Sequence, residues 1–327
     1  MNEYSVIRGR FAPSPSGRMH LGNALSALVS WLEVRRQGGL LILRMEDLDP
    51  ERSKPRFAEL ILEDLRWLGL DWDEGPDIGG PAGPYRQDQR RELYETWLKV
   101  FEARGLTYPC YCTRSELRDA SAPHPGEGEP VYSRRCAGLT PEQSRELATK
   151  RKPSLRLRVP SETIRFSDLN YGPQLQQLDQ ACGDFILRRS DGVHAYQLAV
   201  SVDDALMGIN RVVRGEDLLD SAARQIHLQR LMGYPPPVYG HVPLLMGEDG
   251  KRLSKRHYAT DLGYWRQAGL PPERLIGFLA HQAGLLERYE AVSPRELMSV
   301  FSWERLSKTP VVVREAELGR LGDAHRS

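Results

Sequence analysis

A histidine and a glycine behind a proline-rich turn, and a run of cations late in the chain, are the first residues that could act on a phosphate. The stretch Arg10-Phe11-Ala12-Pro13-Ser14-Pro15-Ser16-Gly17 leads into His20-Leu21-Gly22-Asn23. A helix starting there would aim unpaired N–H groups and the positive end of its dipole at an anion. Gly22 would let a ligand approach the backbone, and His20 could donate a hydrogen bond to a phosphate. Taken alone, His20 reads as readily as a helix cap or a surface residue. The late run, Lys251-Arg252-Leu253-Ser254-Lys255-Arg256, follows a turn at Gly247 to Gly250. Its cations could offset charge on a triphosphate, or could be a solvated basic loop. Glu46 lies just beyond the apolar run Leu40 to Leu43, where a carboxylate could meet a substrate ammonium. Cys110, Cys112 and Cys136 cluster as a metal site would in a reducing compartment. The alternative is a set of reduced, buried cysteines; Cys182 lies apart and reads as a packing residue.

These residues need a scaffold, and the spacing predicts one. Tyr4 to Phe11 reads as a strand feeding the Pro/Ser/Gly loop. Ala24, Leu25, Leu28, Val29 and Leu32 recur at helical spacing, and Gly38-Gly39 supplies a stop. Leu40 to Leu43 is short and continuously apolar, as in a strand covered on both faces. Phe57, Leu60, Ile61, Leu65 and Leu68 mark a second helix ending at Gly69. Strands alternating with amphipathic helices predict a parallel α/β sheet. Residues 109 to about 180 break the pattern and read as an insertion. The α/β character returns at Phe185 to Leu187, Ala195 to Val202 and Val212-Val213, with a helix from Ser221 to Met232 and a strand at Val242 to Leu245. The last sixty or so residues read as helical, with Pro271-Pro272 and Ser293-Pro294 as helix starts. The expected divisions are 1–108, 109–183, 184–265 and 266–327.

Lys and Arg number 45 against 44 Asp and Glu, a net charge of +1, which argues against indiscriminate nucleic-acid binding but leaves room for a local basic face. No apolar run is long enough to span a bilayer, and Met1 to Arg10 lacks an export signal's apolar core, so a cytoplasmic protein is expected. Neither a Walker loop nor a G-x-G-x-x-G fingerprint is present.

Together, the early and late stretches resemble the two signature motifs of the class I aminoacyl-tRNA synthetases, in matching order and separation. Asn23 stands where the first motif has a second His, and in the late motif Arg252 and Arg256 replace the first Lys and the last Ser. The resemblance implies ATP contacts at His20, Gly22, Asn23, Ser254 and Lys255, with His20 and Lys255 catalytic and Mg²⁺ bridging the phosphates. Arg10 to Ser14, Arg44 to Asp49, Ala195 to Asp204 and Val213 to Asp217 resemble the glutamate pocket of the glutamyl-tRNA synthetase group. That implies Arg10, Phe11, Ala12, Pro13, Ser14, Glu46, Tyr196 and Arg214 as glutamate contacts. An Arg fork suits a carboxylate, whereas a glutamine amide would set donors against donors. Internal salt bridges are the alternative use of these residues.

Cys-x-Cys followed by Tyr-x₃-Cys is similar to the zinc site of the glutamyl-queuosine tRNA(Asp) synthetases, short paralogues of that group. The resemblance implies one structural Zn²⁺ on Cys110, Cys112, Tyr132 and Cys136, while His124 is chemically the more ordinary fourth ligand. It also implies an α/β class I synthetase fold with a Rossmann-type parallel sheet, a zinc-containing insertion and a short helical C-terminal region. About seventy residues follow Lys255, so no anticodon-binding domain is expected, and a monomer is the expected state. The implied partners are ATP, L-glutamate and queuosine-bearing tRNA(Asp), with glutamate activated without tRNA. A truncated glutamyl-tRNA synthetase charging a 3′ end, a non-catalytic tRNA-binding zinc protein and another His-x-Gly nucleotidyltransferase remain the alternatives.

Overall fold

The structure, a computed structural model, describes residues 6–113, 116, 131–251, 253 and 261–323. Its strands include β1 (Arg8–Phe11), β2 (Leu40–Leu43), β3 (Thr107–Cys110), β4 (Ser154–Leu157), β5 (Thr163–Asp168), β6 (Gly172–Gln177), β7 (Ile186–Arg188), β8 (Arg211–Gly215) and β9 (Val238–Val242). The main sheet runs in the order β2-β1-β8-β9-β5-β6. Its first five strands are parallel neighbour to neighbour, and β6 returns antiparallel to β5 as a hairpin.

Helix α1 (Leu21–Arg35) links β1 to β2 and is buried almost all round, Ser30 and Glu33 included. It lies between the sheet and the C-terminal helices. Leu28 and Leu32 of α1 share one apolar core with Leu275, Leu279 and Leu297. The buried Glu33 carboxylate is satisfied from both sides, by the indole N–H of Trp303 at 2.8 Å and by Arg211 at 3.2 Å. Helix α2 (Pro55–Trp67) shows the expected amphipathic face and stops before Gly69, whose φ of 75° suits a residue without a side chain.

The middle of the chain departs from expectation in three places. Phe185 to Leu187 does not return to the main sheet: β7 pairs with β4, and β4 with β3, in a separate antiparallel sheet. Conversely, the β5–β6 hairpin, expected inside the insertion, extends the main sheet through Asp168 beside Tyr239 of β9. Ala195 to Val202, within the returning α/β character, is mostly helix, Tyr196–Leu206, buried against the helix Ala222–Met232. The strand expected at Val242 to Leu245 is instead the end of β9, a break, and the short strand Leu245–Met246.

Candidate active site

The parallel strands end around one cavity of about 540 Å³. Arg10, Phe11, Ala12, Pro13, Ser14, His20, Gly22, Asn23, Glu46, Tyr196 and Arg214 all line it, drawn from β1 and its loop, α1, the segment after β2, the helix Tyr196–Leu206 and β8. Leu253 adds to the wall, while Ser254, Lys255 and His124 lie outside the described residues. Ligands sit beyond the carboxyl ends of strands in such sheets because the loops there are free to diverge.

At the mouth, His20 is the N-cap of α1. Its Nδ1 accepts from the backbone N–H of Gly22 at 3.1 Å and of Asn23 at 3.4 Å. With Nδ1 an acceptor, the neutral ring carries its proton on Nε2, the nitrogen that can donate to a phosphate. The Asn23 side chain accepts in return from the His20 N–H at 3.3 Å, completing a capping box. Capping and the phosphate role are therefore compatible, and Asn in place of a second His has a structural job. A Cβ on Gly22 would stand 3.1 Å from the His20 ring, so the glycine makes room for that ring as well as for a ligand.

The pocket floor is a buried, charge-balanced network that local sequence spacing does not reveal. Arg44, fully buried, meets Asp204 at 2.8 Å, Glu46 at 3.3 Å and Asp203 at 3.7 Å. Arg10 meets Asp204 at 3.4 Å, and Arg90 meets Asp203 at 2.6 Å. Asp203 also accepts from Tyr94 at 2.9 Å and Gln87 at 2.8 Å. Burial opposes charge on Arg44, but Asp204, Asp203 and Glu46 together hold it protonated. Burial raises Glu46 above the ordinary carboxylate range, with Arg44 and Arg10 pulling it back.

The opposite wall carries Arg214, which differs from Arg10 and Arg44. It is buried, yet its partners are neutral: His241 Nε2 at 3.0 Å, the Gln225 carbonyl at 2.7 Å and the Leu218 carbonyl at 2.9 Å. Among the described residues no carboxylate pairs with it. A buried guanidinium without a counter-ion costs free energy unless a ligand supplies the charge. His241, Gln225, Asp203 and Asp204 are thus functional candidates that motif reading missed; only the Asp-Asp pair fell inside a motif, with no role attached.

Beyond a second cavity of about 830 Å³, which shares Ser14, Glu46 and Tyr196 with the first and reaches Cys112, lies the cysteine cluster. The Cys110, Cys112 and Cys136 sulfurs lie within 4.8 Å of one another and could hold a metal ion. Tyr132 Oη is 3.4 Å from Cys110 Sγ and 3.7 Å from Cys112 Sγ, and Cys112 and Cys136 Sγ are 3.6 Å apart. Tetrahedral zinc with bonds of about 2.3 Å to sulfur separates its ligands by roughly 3.5–3.8 Å, so these spacings fit. The ligand loop is braced by Arg134, at φ 59°, whose guanidinium reaches Asp184 at 2.9 Å. Arg156 stacks on the Tyr132 ring at 3.8 Å, a cation beside a ring that would carry negative charge as a ligand.

The model of the class I tRNA synthetase catalytic domain, E and Q type, matches residues 6–320. A glutamyl-Q tRNA(Asp) synthetase of Symbiobacterium thermophilum is 54% identical over 94% of this chain and 95% of its own. Its namesake in Nitratidesulfovibrio vulgaris is 49% identical over 97% and 98%. A glutamate–tRNA ligase of Nitrosococcus oceani is 44% identical, with 65% of its length covered. The crystal structure of a glutamate tRNA ligase from Elizabethkingia meningosepticum, in complex with its amino acid, superposes with a TM-score of 0.81 at 30% identity, covering 98% of this chain and 69% of that one. The chain belongs to the class I tRNA synthetases of the E and Q type, among the glutamyl-Q tRNA(Asp) synthetases.

Proposed function

We propose that the protein activates L-glutamate with ATP, without tRNA, and transfers it to the queuosine base at the wobble position of tRNA(Asp). The observation that carries the first half is Arg214, a buried cation in the cavity wall whose described partners are all neutral. A substrate side-chain carboxylate supplies the missing counter-charge, and the uncharged amide of glutamine does not. Glu46 receives the substrate ammonium across the pocket, Tyr196 and the Phe11 to Ser14 backbone flank the chain, and Arg10 presents a second guanidinium.

In the first step the substrate α-carboxylate oxygen attacks the α-phosphorus of MgATP. An O–P bond forms, the bond to pyrophosphate breaks, and glutamyl-adenylate results. The enzyme needs no nucleophile; it aligns the partners and offsets charge on the phosphates. His20 donates from Nε2, the N-terminus of α1 adds its partial positive charge, and Ser254 and Lys255 complete the phosphate contacts. In the second step a hydroxyl of the queuosine cyclopentene ring attacks the adenylate carbonyl. An ester forms, AMP leaves, and the hydroxyl proton is released.

Cys110, Cys112, Tyr132 and Cys136 would hold one Zn²⁺, which would tie β3 to the loop that carries Tyr132 and Cys136. Unpaired cysteines suit the reducing cytoplasm, and among the described residues no helix is long and apolar enough to cross a membrane. The acceptor is supported by the names of the two relatives covered over nearly their whole length. Its test is to offer labelled glutamate to tRNA(Asp) with and without queuosine, then map the label by periodate treatment and nuclease digestion. Label on the anticodon loop of the queuosine form alone is expected; label at the 3′ end would make the protein an ordinary glutamate-charging enzyme.

A further inference from the structure

Arg214 is held by a relay that begins two strands away. Asp168 ends β5, His241 lies in β9 and Arg214 in β8, three neighbouring strands of the main sheet. Asp168 Oδ2 meets His241 Nδ1 at 2.6 Å, and His241 Nε2 accepts from Arg214 Nε at 3.0 Å. The Asp168 and His241 side chains are inaccessible to solvent. We propose that Asp168 and His241 are positioning residues for glutamate selection, fixing the imidazole tautomer that lets Arg214 face the substrate carboxylate. This rests on the reading of Arg214 given above.

The polarity of the relay follows from donors and acceptors. Arg214 Nε–H can only donate, so His241 Nε2 must be bare and its proton must sit on Nδ1, pointing at Asp168. The other Asp168 oxygen, Oδ1, accepts the backbone N–H groups of Asn170 and Tyr171, each at 3.0 Å, and of His241 at 3.3 Å. An acid therefore occupies this position for a reason. In Asp168→Asn the amide oxygen has to face those three N–H donors. That turns the amide NH₂ toward His241 Nδ1, which must then accept. The imidazole proton moves to Nε2, against the Arg214 N–H, and donor faces donor. On the far side, the Gln225 amide accepts from Arg214 and donates to Gln197 at 2.9 Å, so its orientation is fixed too. A guanidinium has five N–H donors; three are held by His241, Gln225 and Leu218, leaving two for a ligand.

The test is steady-state ATP–pyrophosphate exchange with glutamate and with glutamine, in wild type, Asp168→Asn, His241→Leu, His241→Gln and the double variant Asp168→Asn/His241→Leu. The glutamate KM is expected to rise about 10- to 100-fold in Asp168→Asn and in His241→Leu. The ATP KM should stay within about twofold, and preference for glutamate over glutamine should narrow. His241→Gln can turn its amide oxygen to Arg214 while its NH₂ donates to Asp168, so it should recover most of the glutamate affinity. On the His241→Leu background, where no acceptor is left to lose, Asp168→Asn should cost little further glutamate affinity, and the ATP KM should stay put, a split that a purely structural role would not produce. Should His241→Leu fail to fold, Asp168→Asn carries the test through the split between its glutamate and ATP KM values. Equal cost of Asp168→Asn in both backgrounds, or glutamate and ATP KM values rising together, would overturn the relay. Absence of glutamate-dependent exchange in the wild type would sink the glutamate reading instead.

Discussion

The two sides of the amino-acid pocket handle charge in opposite ways. On the floor, Arg10, Arg44 and Arg90 are matched by Glu46, Asp203 and Asp204, three against three, within a few ångströms. On the wall, Arg214 is held in place by a histidine, an amide and a backbone carbonyl, none carrying negative charge. The floor is complete without a ligand and so contributes shape and rigidity. The wall is complete only with an anion and so contributes selectivity. Two arginines in one cavity thus serve different purposes, and the difference lies in their partners rather than in the residue type.

Breaking the floor should cost the most. Arg44→Met leaves Asp203 and Asp204 short of a buried partner, and a loss of about 3–5 kcal/mol of stability is expected. Chemical denaturation would report it as a lower midpoint; an unchanged midpoint would mean that the network is not the pocket's structural base.

Glu46→Gln sharpens the comparison, since Glu46 belongs to the floor but faces the substrate. It should raise the glutamate KM about 10-fold or more with a small effect on stability. Glu46 must be ionised to hold an ammonium, and burial raises its pKa above the ordinary carboxylate range. Glutamate affinity should therefore fall as pH drops through that raised pKa, sooner than an exposed carboxylate would allow. The variant should lose this acid limb. A limb of the same shape in both proteins would assign it to another group.

How far the sequence reaches follows the same division. Arg10, Glu46, Tyr196 and Arg214 were readable because each sits in a short motif at a strand end or helix start. Their partners were not, because Asp168, His241 and Gln225 reach Arg214 from separate elements, and nothing local to each residue marks the pairing. The parallel sheet was legible in the short buried runs, Leu40 to Leu43 above all. The hairpin β5–β6 was not: its alternating, half-exposed residues look the same in an insertion as on the edge of the main sheet. Tyr196 to Leu206 could be assigned to the α/β part but not to an element type, since Leu198, Val200 and Val202 alternate like a strand while burial on every side makes periodicity uninformative. The cysteines were legible by spacing, but the proximity of Tyr132 Oη to two of their sulfurs is a fact of three-dimensional packing.

The smallest effect is expected at the mouth, outside both halves of the comparison. Gly22→Ala places a methyl 3.1 Å from the His20 ring, so the ring must shift by a few tenths of an ångström. A several-fold rise in the ATP KM with the glutamate KM unchanged is expected from substrate kinetics; the reverse pattern would move His20 from the nucleotide to the amino acid.

The most direct test of the account is glutamate-dependent ATP–pyrophosphate exchange without tRNA, in wild type and Arg214→Leu, with melting temperatures taken in parallel. The account predicts exchange in the wild type, its loss in Arg214→Leu, and a protein that still folds with a cooperative melt, because removing a buried cation without a counter-charge offsets the three acceptors it frees. Undiminished exchange in Arg214→Leu, or exchange that requires tRNA in the wild type, would contradict it.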